Sequence, residues 1–213
     1  MAALARSNLC TANTVAGNHK AAIPECVEAV RILDGLSMVV KSDVVRLRLL
    51  TRLRLGNALR RDGQAVAAIA QYRTVVQDVD PFDLRVEPIL VELVEVLRPT
   101  GSEALAVALR KQAVLASRSG QRDQALERFE EAMKVSGQGQ PPMKEVVLYG
   151  EAATDDAEAV SHFRNGQVRQ AIESSKKALS RLGENSSGYA KLLRVEIEAN
   201  LHSFELALAQ PSR

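Results

Sequence analysis

The chain of 213 residues carries 28 basic and 26 acidic side chains, a net charge of +2, and 46% hydrophobic residues. This near balance argues against a uniformly basic nucleic-acid binder, and without an apolar run that could span a bilayer we expect no membrane insertion. Aromatic residues make up only 3% and Trp is absent, whereas Ala, Leu and Val are abundant. We therefore expect an all-α protein rather than a β-sandwich.

Four segments that begin with glycine repeat one pattern in chain order: GNHKAAI from Gly17, GQAVAAI from Gly63, GQRDQAL from Gly120 and GQVRQAI from Gly166. A small residue stands seven positions before and five after each glycine, and an aliphatic residue or Met stands thirteen after it. Glycine at positive φ ends a helix, and small residues let two helices approach closely. The pattern predicts helical hairpins over about 2–34, 42–80, 102–136 and 142–183.

The spacing between the glycines leaves room for helices outside the hairpins. Apolar residues from Ile89 to Leu97 recur at helical intervals and predict an extra helix over about 82–98. A C-terminal helix over about 187–209 is predicted to cap the last hairpin, with Lys191, Arg194, Glu196 and Glu198 on its polar side. The N-terminus shows no comparable cap, so we expect that end to dock or self-associate, or the chain to be cut from a longer protein.

These offsets resemble the tetratricopeptide repeat, which has small residues at positions eight and twenty, glycine at fifteen and an aromatic residue at twenty-four. Tyr72 and Phe129 match the aromatic position, whereas Cys26 and Ser175 do not. The glycines are farther apart than the usual repeat of about thirty-four residues, so the resemblance is to a divergent member. It implies one right-handed α-solenoid over residues 1–213, with about four hairpins and nine to ten helices in all.

The resemblance also implies a concave groove lined by the first helix of each hairpin. The stretch RLRLLTRLRLGNALRRDG, from Arg46 to Gly63, supplies the basic centre of this groove. The implied partner-binding positions are Asn57, Arg60, Arg61, Arg110, Val114, Arg118, Phe163 and Arg164. Arginines on a groove can bind carboxylates through paired hydrogen bonds, although a merely solvated helix face is an open alternative for each of them.

We therefore expect a non-enzymatic scaffold, adaptor or complex subunit that binds an acidic peptide or helix of a protein partner. The alternative is a helical-repeat protein that binds RNA or another single strand, although such proteins usually interleave aromatic and basic residues. An acidic region just downstream leaves a third reading open, in which part of the basic helix is neutralised within the fold or head-to-tail between copies. Its residues are Asp78, Asp80, Asp83, Glu87, Glu92 and Glu95.

Catalytic and metal-binding patterns are missing from the sequence. His19, His162 and His202 lie far apart without metal-ligand spacing, and no phosphate-binding loop occurs, so we expect no enzyme activity, metal or cofactor. Cys10 and Cys26 are sixteen residues apart, and we expect buried free thiols in a reducing, cytoplasmic compartment. The start of the chain is free of acids before Glu25, which leaves an organellar presequence as the alternative.

Overall fold

The computed structural model describes residues 2–36, 42–137, 141–183 and 190–209. Within these ranges every regular element is helical, which confirms the all-α class. The chain divides into two compact units, Met1–Val79 and Asp80–Arg213. The single right-handed superhelix over 1–213 stays a prediction.

The first unit consists of two helical hairpins. Its helices are α1 (Ala2–Val15), α2 (His19–Gly35), α3 (Ser42–Arg61) and α4 (Ala65–Asp78). Each helix packs on the next in the chain, and α1 also contacts α3. The hydroxyls of Ser7 on α1 and Thr51 on α3 lie 2.9 Å apart in a buried hydrogen bond, so the contact between these two helices includes a polar anchor.

The second unit contains the extra helix, two hairpins and the C-terminal helix. A 3₁₀ turn (Leu84–Val86) precedes α5 (Glu87–Leu97), and a second one (Arg98–Thr100) follows it. The hairpins are formed by α6 (Glu103–Arg118) with α7 (Arg122–Ser136), and α8 (Met143–Arg164) with α9 (Val168–Leu182). The final helix is α10 (Lys191–Ala209), whose predicted start at 187–190 lies partly outside the described residues. It packs mainly on α9.

The four repeat glycines lie at the bends of the four hairpins. Their φ angles are +79° at Gly17, +82° at Gly63, +77° at Gly120 and +76° at Gly166, in the left-handed region that disfavours side chains. In each turn the glycine N–H bonds to the carbonyl three residues back, and the next N–H bonds to the carbonyl five back. This is the Schellman pattern of helix termination, so the predicted turn mechanism is confirmed.

The positions at fixed offsets from these glycines form the inside of each hairpin. The residues seven before, and five, nine and twelve after, are buried in all four hairpins. They are Cys10, Ala22, Cys26 and Ala29; Gly56, Ala68, Tyr72 and Val75; Ala113, Ala125, Phe129 and Ala132; and Ala159, Ala171, Ser175 and Ala178. The four segments thus share one packing register, since the same offsets are buried each time.

The C-terminal helix packs on α9 and exposes both charged and apolar residues on its outer surface. Leu193, Ile197 and Phe204 are buried, and the Phe204 ring stacks on Phe163 with centroids 4.5 Å apart. Val195 and Leu206 are exposed, so the outward side of this predicted cap is less polar than expected.

Candidate interaction surface

The six arginines of α3 fall into two groups, which explains how one helix is both apolar and basic. Arg48 and Arg52 turn toward neighbouring helices of the first unit, where their side chains are only 20% and 16% exposed. Arg52 pairs with Asp34 of α2 and donates to Gln71 of α4 at 3.3 Å, while Arg48 lies 3.6 Å from Asp78. These two arginines therefore cross-link α3 to α2 and α4.

The other four arginines of α3 remain at the surface. Arg46, Arg60 and Arg61 are exposed and Arg54 is half-buried. No hydrogen bond or ion pair joins any of the four side chains to another residue of the described ranges. A charge without a protein partner stays solvated and is available for an oppositely charged group.

One face of α3 combines three of these arginines with a partly exposed leucine. We call it the α3 basic face: Arg46, Leu50, Arg54, Asn57 and Arg61. Successive members are four, four, three and four residues apart, which places them on one side of a helix. Asn57 accepts a hydrogen bond from the Tyr72 hydroxyl at 2.8 Å, so its amide is held in place. The exposed carboxylate of Asp43 lies at the N-terminal end of the same side.

Of the eight sequence-predicted partner-binding residues, Asn57, Arg60 and Arg61 belong to the first unit and the other five to the second. Arg110 is 6% exposed and Val114 is 1% exposed, so burial removes both from any surface that a partner could reach. Arg118 donates to the Phe82 carbonyl at 2.9 Å, and its guanidinium lies 4.0 Å from the Phe82 ring centroid. Phe163 stacks on Phe204, and Arg164 pairs with Asp80 at 3.3 Å. In the second unit these side chains therefore serve internal contacts.

Arg110 belongs to a cluster of charged residues inside the second unit. It donates to the Tyr149 hydroxyl at 3.3 Å and pairs with Glu196 of α10. Burial by itself lowers the pKa of Arg110, but Tyr149 and Glu196 outweigh that effect and the pKa is raised above its ordinary value. Arg110 is therefore charged, and its partners come from the chain itself.

Two further residues of this cluster have pKa values shifted in the direction that favours their uncharged forms. Burial raises the pKa of Asp156 to about 6, although the amide of Asn200 on α10 donates to this carboxylate at 3.1 Å. Burial and the nearby Arg164 lower the pKa of Lys111 to about 8. The neighbouring Asp155 instead binds Lys177 at 2.8 Å and also binds Arg181. The ion pair to α6 and the hydrogen bond to α8 in this cluster attach α10 to both helices.

The two cysteines form a disulfide between α1 and α2, and the expectation of free thiols was wrong. Cys10 and Cys26 are both fully buried, at the positions seven before and nine after Gly17. The sixteen-residue interval also separates Gly56 from Tyr72, which face each other across the second hairpin. The repeat register could therefore have identified the pair. Disulfides persist in oxidising environments, so the argument for a reducing compartment from free thiols falls away.

One acid of the downstream acidic region, Asp78, neutralises part of the basic helix α3. Asp78 reaches Arg48, whereas Asp80 and Asp83 pair with Arg164 and Arg85 of the second unit. Within the described part of the first unit, the arginines of the α3 basic face receive no ion pair from Asp78. Sequence reasoning overlooked Arg46 and Arg54 as members of that face, although their four-residue intervals from Leu50 indicate it.

No protein-family model matches the chain, and no curated protein sequence matches it.

No helix among the described residues combines the length and apolar character that crossing a membrane requires. Within the same ranges, no group of three His, Cys, Asp or Glu side chains is placed to hold a metal ion.

Proposed function

We propose that this chain is a divergent tetratricopeptide-like interaction module that holds an acidic helical segment of a protein partner against the α3 basic face. The observation that carries the proposal is the placement of Arg46, Arg54 and Arg61 on one side of α3, without partners among the described residues. Other arginines of the chain, such as Arg52 and Arg110, are bound by acids of the chain itself. The α3 basic face is therefore a site where added carboxylates gain charge-assisted hydrogen bonds.

Spacing and composition favour an acidic helix that carries an apolar residue between its acids. Arg46 and Arg54 are eight residues apart, which is about 12 Å along a helix, and Leu50 lies between them. A partner helix with acids eight residues apart and an aliphatic residue midway matches both features. Nucleic acid is less well matched, because the face offers no aromatic side chain on which a base could stack.

The test is fluorescence anisotropy with a labelled helical peptide that carries Glu, Leu and Glu at four-residue intervals. We expect the full chain to bind it, and the Arg46→Glu, Arg54→Glu variant to bind at least about tenfold more weakly. The Arg122→Glu, Arg169→Glu variant is the matched control, since it makes the same charge change at two exposed positions on α7 and α9. It should bind like the parent chain.

A second probe separates the two classes of partner. A labelled single-stranded oligonucleotide should bind weakly and without dependence on Arg46 and Arg54. Tight oligonucleotide binding with a steep salt dependence, together with no binding of the acidic peptide, would overturn the proposal in favour of nucleic acid.

A further inference from the structure

Helix α5 has an exposed face whose charge is opposite to that of the α3 basic face. Its apolar side, with Leu90 and Leu93, is buried. Glu87 and Glu95 are exposed, and Val91 between them is 41% exposed. No ion pair or hydrogen bond joins the side chain of either glutamate to another described residue.

The position of Glu95 is not explained by the stability of α5. The last turn of a helix exposes carbonyl oxygens and carries partial negative charge, so a carboxylate there is unfavourable. Glu95 lies two residues before the last residue of α5 and has no basic partner in the described structure. A positive group from outside the chain would relieve this repulsion.

The exposed faces of α3 and α5 carry charged residues at the same spacing, basic on α3 and acidic on α5. Arg46, Leu50 and Arg54 stand at four-residue intervals, as do Glu87, Val91 and Glu95. We propose that α5 of a second copy of this chain packs antiparallel on the α3 basic face. Arg46 then lies opposite Glu95, Leu50 opposite Val91, and Arg54 opposite Glu87. The inference rests on the proposed function, because it identifies the acidic helix as one that this chain carries.

The ends of the two faces favour the antiparallel orientation. Asp43 lies three residues before Arg46, and Arg98 lies three residues after Glu95. In the antiparallel arrangement these two residues also face each other with opposite charges, while Arg98 keeps its pair with Glu131 in its own copy. The antiparallel orientation also places opposite helix-dipole ends side by side.

The predicted contact is small and therefore weak. α5 has 11 residues, about three turns, and one face of such a helix buries less area than the roughly 1,200 Å² of a standard interface. We expect self-association in the range of about 10–100 μM that weakens as salt screens the charges. The contact joins two different surfaces, α3 of one copy and α5 of another. Further copies can therefore add to a dimer.

Sedimentation velocity of the full chain over that concentration range tests the inference. At low salt we expect the parent chain to associate, and Arg46→Glu, Arg54→Glu to sediment as a monomer because like charges then meet. Glu87→Arg, Glu95→Arg should be monomeric for the same reason. The fourfold variant that carries both exchanges should associate again, within about threefold of the parent dissociation constant. Arg122→Glu, Arg169→Glu should associate like the parent.

Each other outcome contradicts the inference. A parent chain that stays monomeric at low salt overturns it, as does association that survives in either charge-exchanged variant. A fourfold variant that stays monomeric, with an unchanged circular dichroism spectrum, overturns the pairing of α3 with α5. If the parent chain is monomeric and still binds the acidic peptide through Arg46 and Arg54, then self-association is wrong while the proposed function stands.

Discussion

Gly56 of α3 lies directly against the ring of Tyr72 on α4: a Cβ added to Gly56 would lie 2.5 Å from Cε1 of that ring. In the first hairpin the same two positions are Cys10 and Cys26, which are joined by the disulfide. One interhelical contact point is thus filled by a glycine and a tyrosine in one hairpin and by a covalent bond in the other. Close approach of the two helices is the shared requirement.

Gly56→Ala should destabilise the protein because its methyl group collides with a buried ring. Overpacking costs about 1–3 kcal/mol, whereas the better helix propensity of Ala returns about 0.5–1 kcal/mol, so we expect a net loss of about 1 kcal/mol. Urea unfolding followed by circular dichroism measures the change. Gly35→Ala is the control, since its added Cβ would meet no described atom within 4 Å apart from its chain neighbours and the nearby backbone of its own helix, and it should be neutral or slightly stabilising. Equal unfolding midpoints for Gly56→Ala and the parent would contradict the close contact.

Reduction of the disulfide should lower the free energy of unfolding. Closing a loop of about sixteen residues stabilises a protein by about 3 kcal/mol in the chain-entropy account. We therefore expect a reductant to lower the melting temperature of the parent chain. The Cys10→Ala, Cys26→Ala variant should have the same melting temperature with and without reductant. A parent chain whose melting temperature is also unchanged by reductant would contradict the disulfide.

Asp156→Asn should stabilise the protein near neutral pH. Burial raises the folded pKa to about 6 from an ordinary value of 3.8, so the folded state disfavours the charged form. This effect lowers the free energy of unfolding of the parent chain. The loss is absent below about pH 4, grows between about pH 4 and pH 6, and reaches about 2–3 kcal/mol above about pH 6. Asn removes the charge while its carbonyl oxygen still accepts from Asn200.

The measurement for Asp156 is a series of unfolding curves from pH 4 to pH 8. Relative to the parent chain, the free energy of unfolding of the variant should rise through this pH range, and the two should be equal at its acid end. Asp155→Asn is the matched control and should lose stability instead, because it weakens the bonds to Lys177 and Arg181. A constant difference between Asp156→Asn and the parent at every pH would contradict the raised pKa.

Glu196→Gln should weaken the attachment of α10 to α6. Arg110 is buried, and removing its carboxylate partner leaves a charge with poorer compensation, whereas Glu196 itself is 38% exposed, which lets water offset part of the loss. We expect a cost of about 1–2 kcal/mol in chemical unfolding. Glu198→Gln, which removes the exposed pair with Arg194, should change the stability by less than about 0.5 kcal/mol.

Much of the helical framework could be predicted because its causes are local in the chain. A glycine at positive φ ends each first helix, and residues at fixed offsets from it are buried, so the register follows from short-range spacing. The candidate site could be predicted only in part. Arg61 and Arg110 look alike in sequence, yet one is exposed and the other pairs with Glu196, which lies 86 residues away.

The sequence by itself determined the helices, the four bends and the buried positions of each hairpin, because turn geometry and helical periodicity depend on neighbours a few residues apart. Only the tertiary structure decided which arginines stay unpaired, and that burial shifts the pKa values of Asp156 and Lys111. Such properties depend on which helices meet and on how much water remains beside a charge. A side chain acquires those surroundings when distant segments pack together.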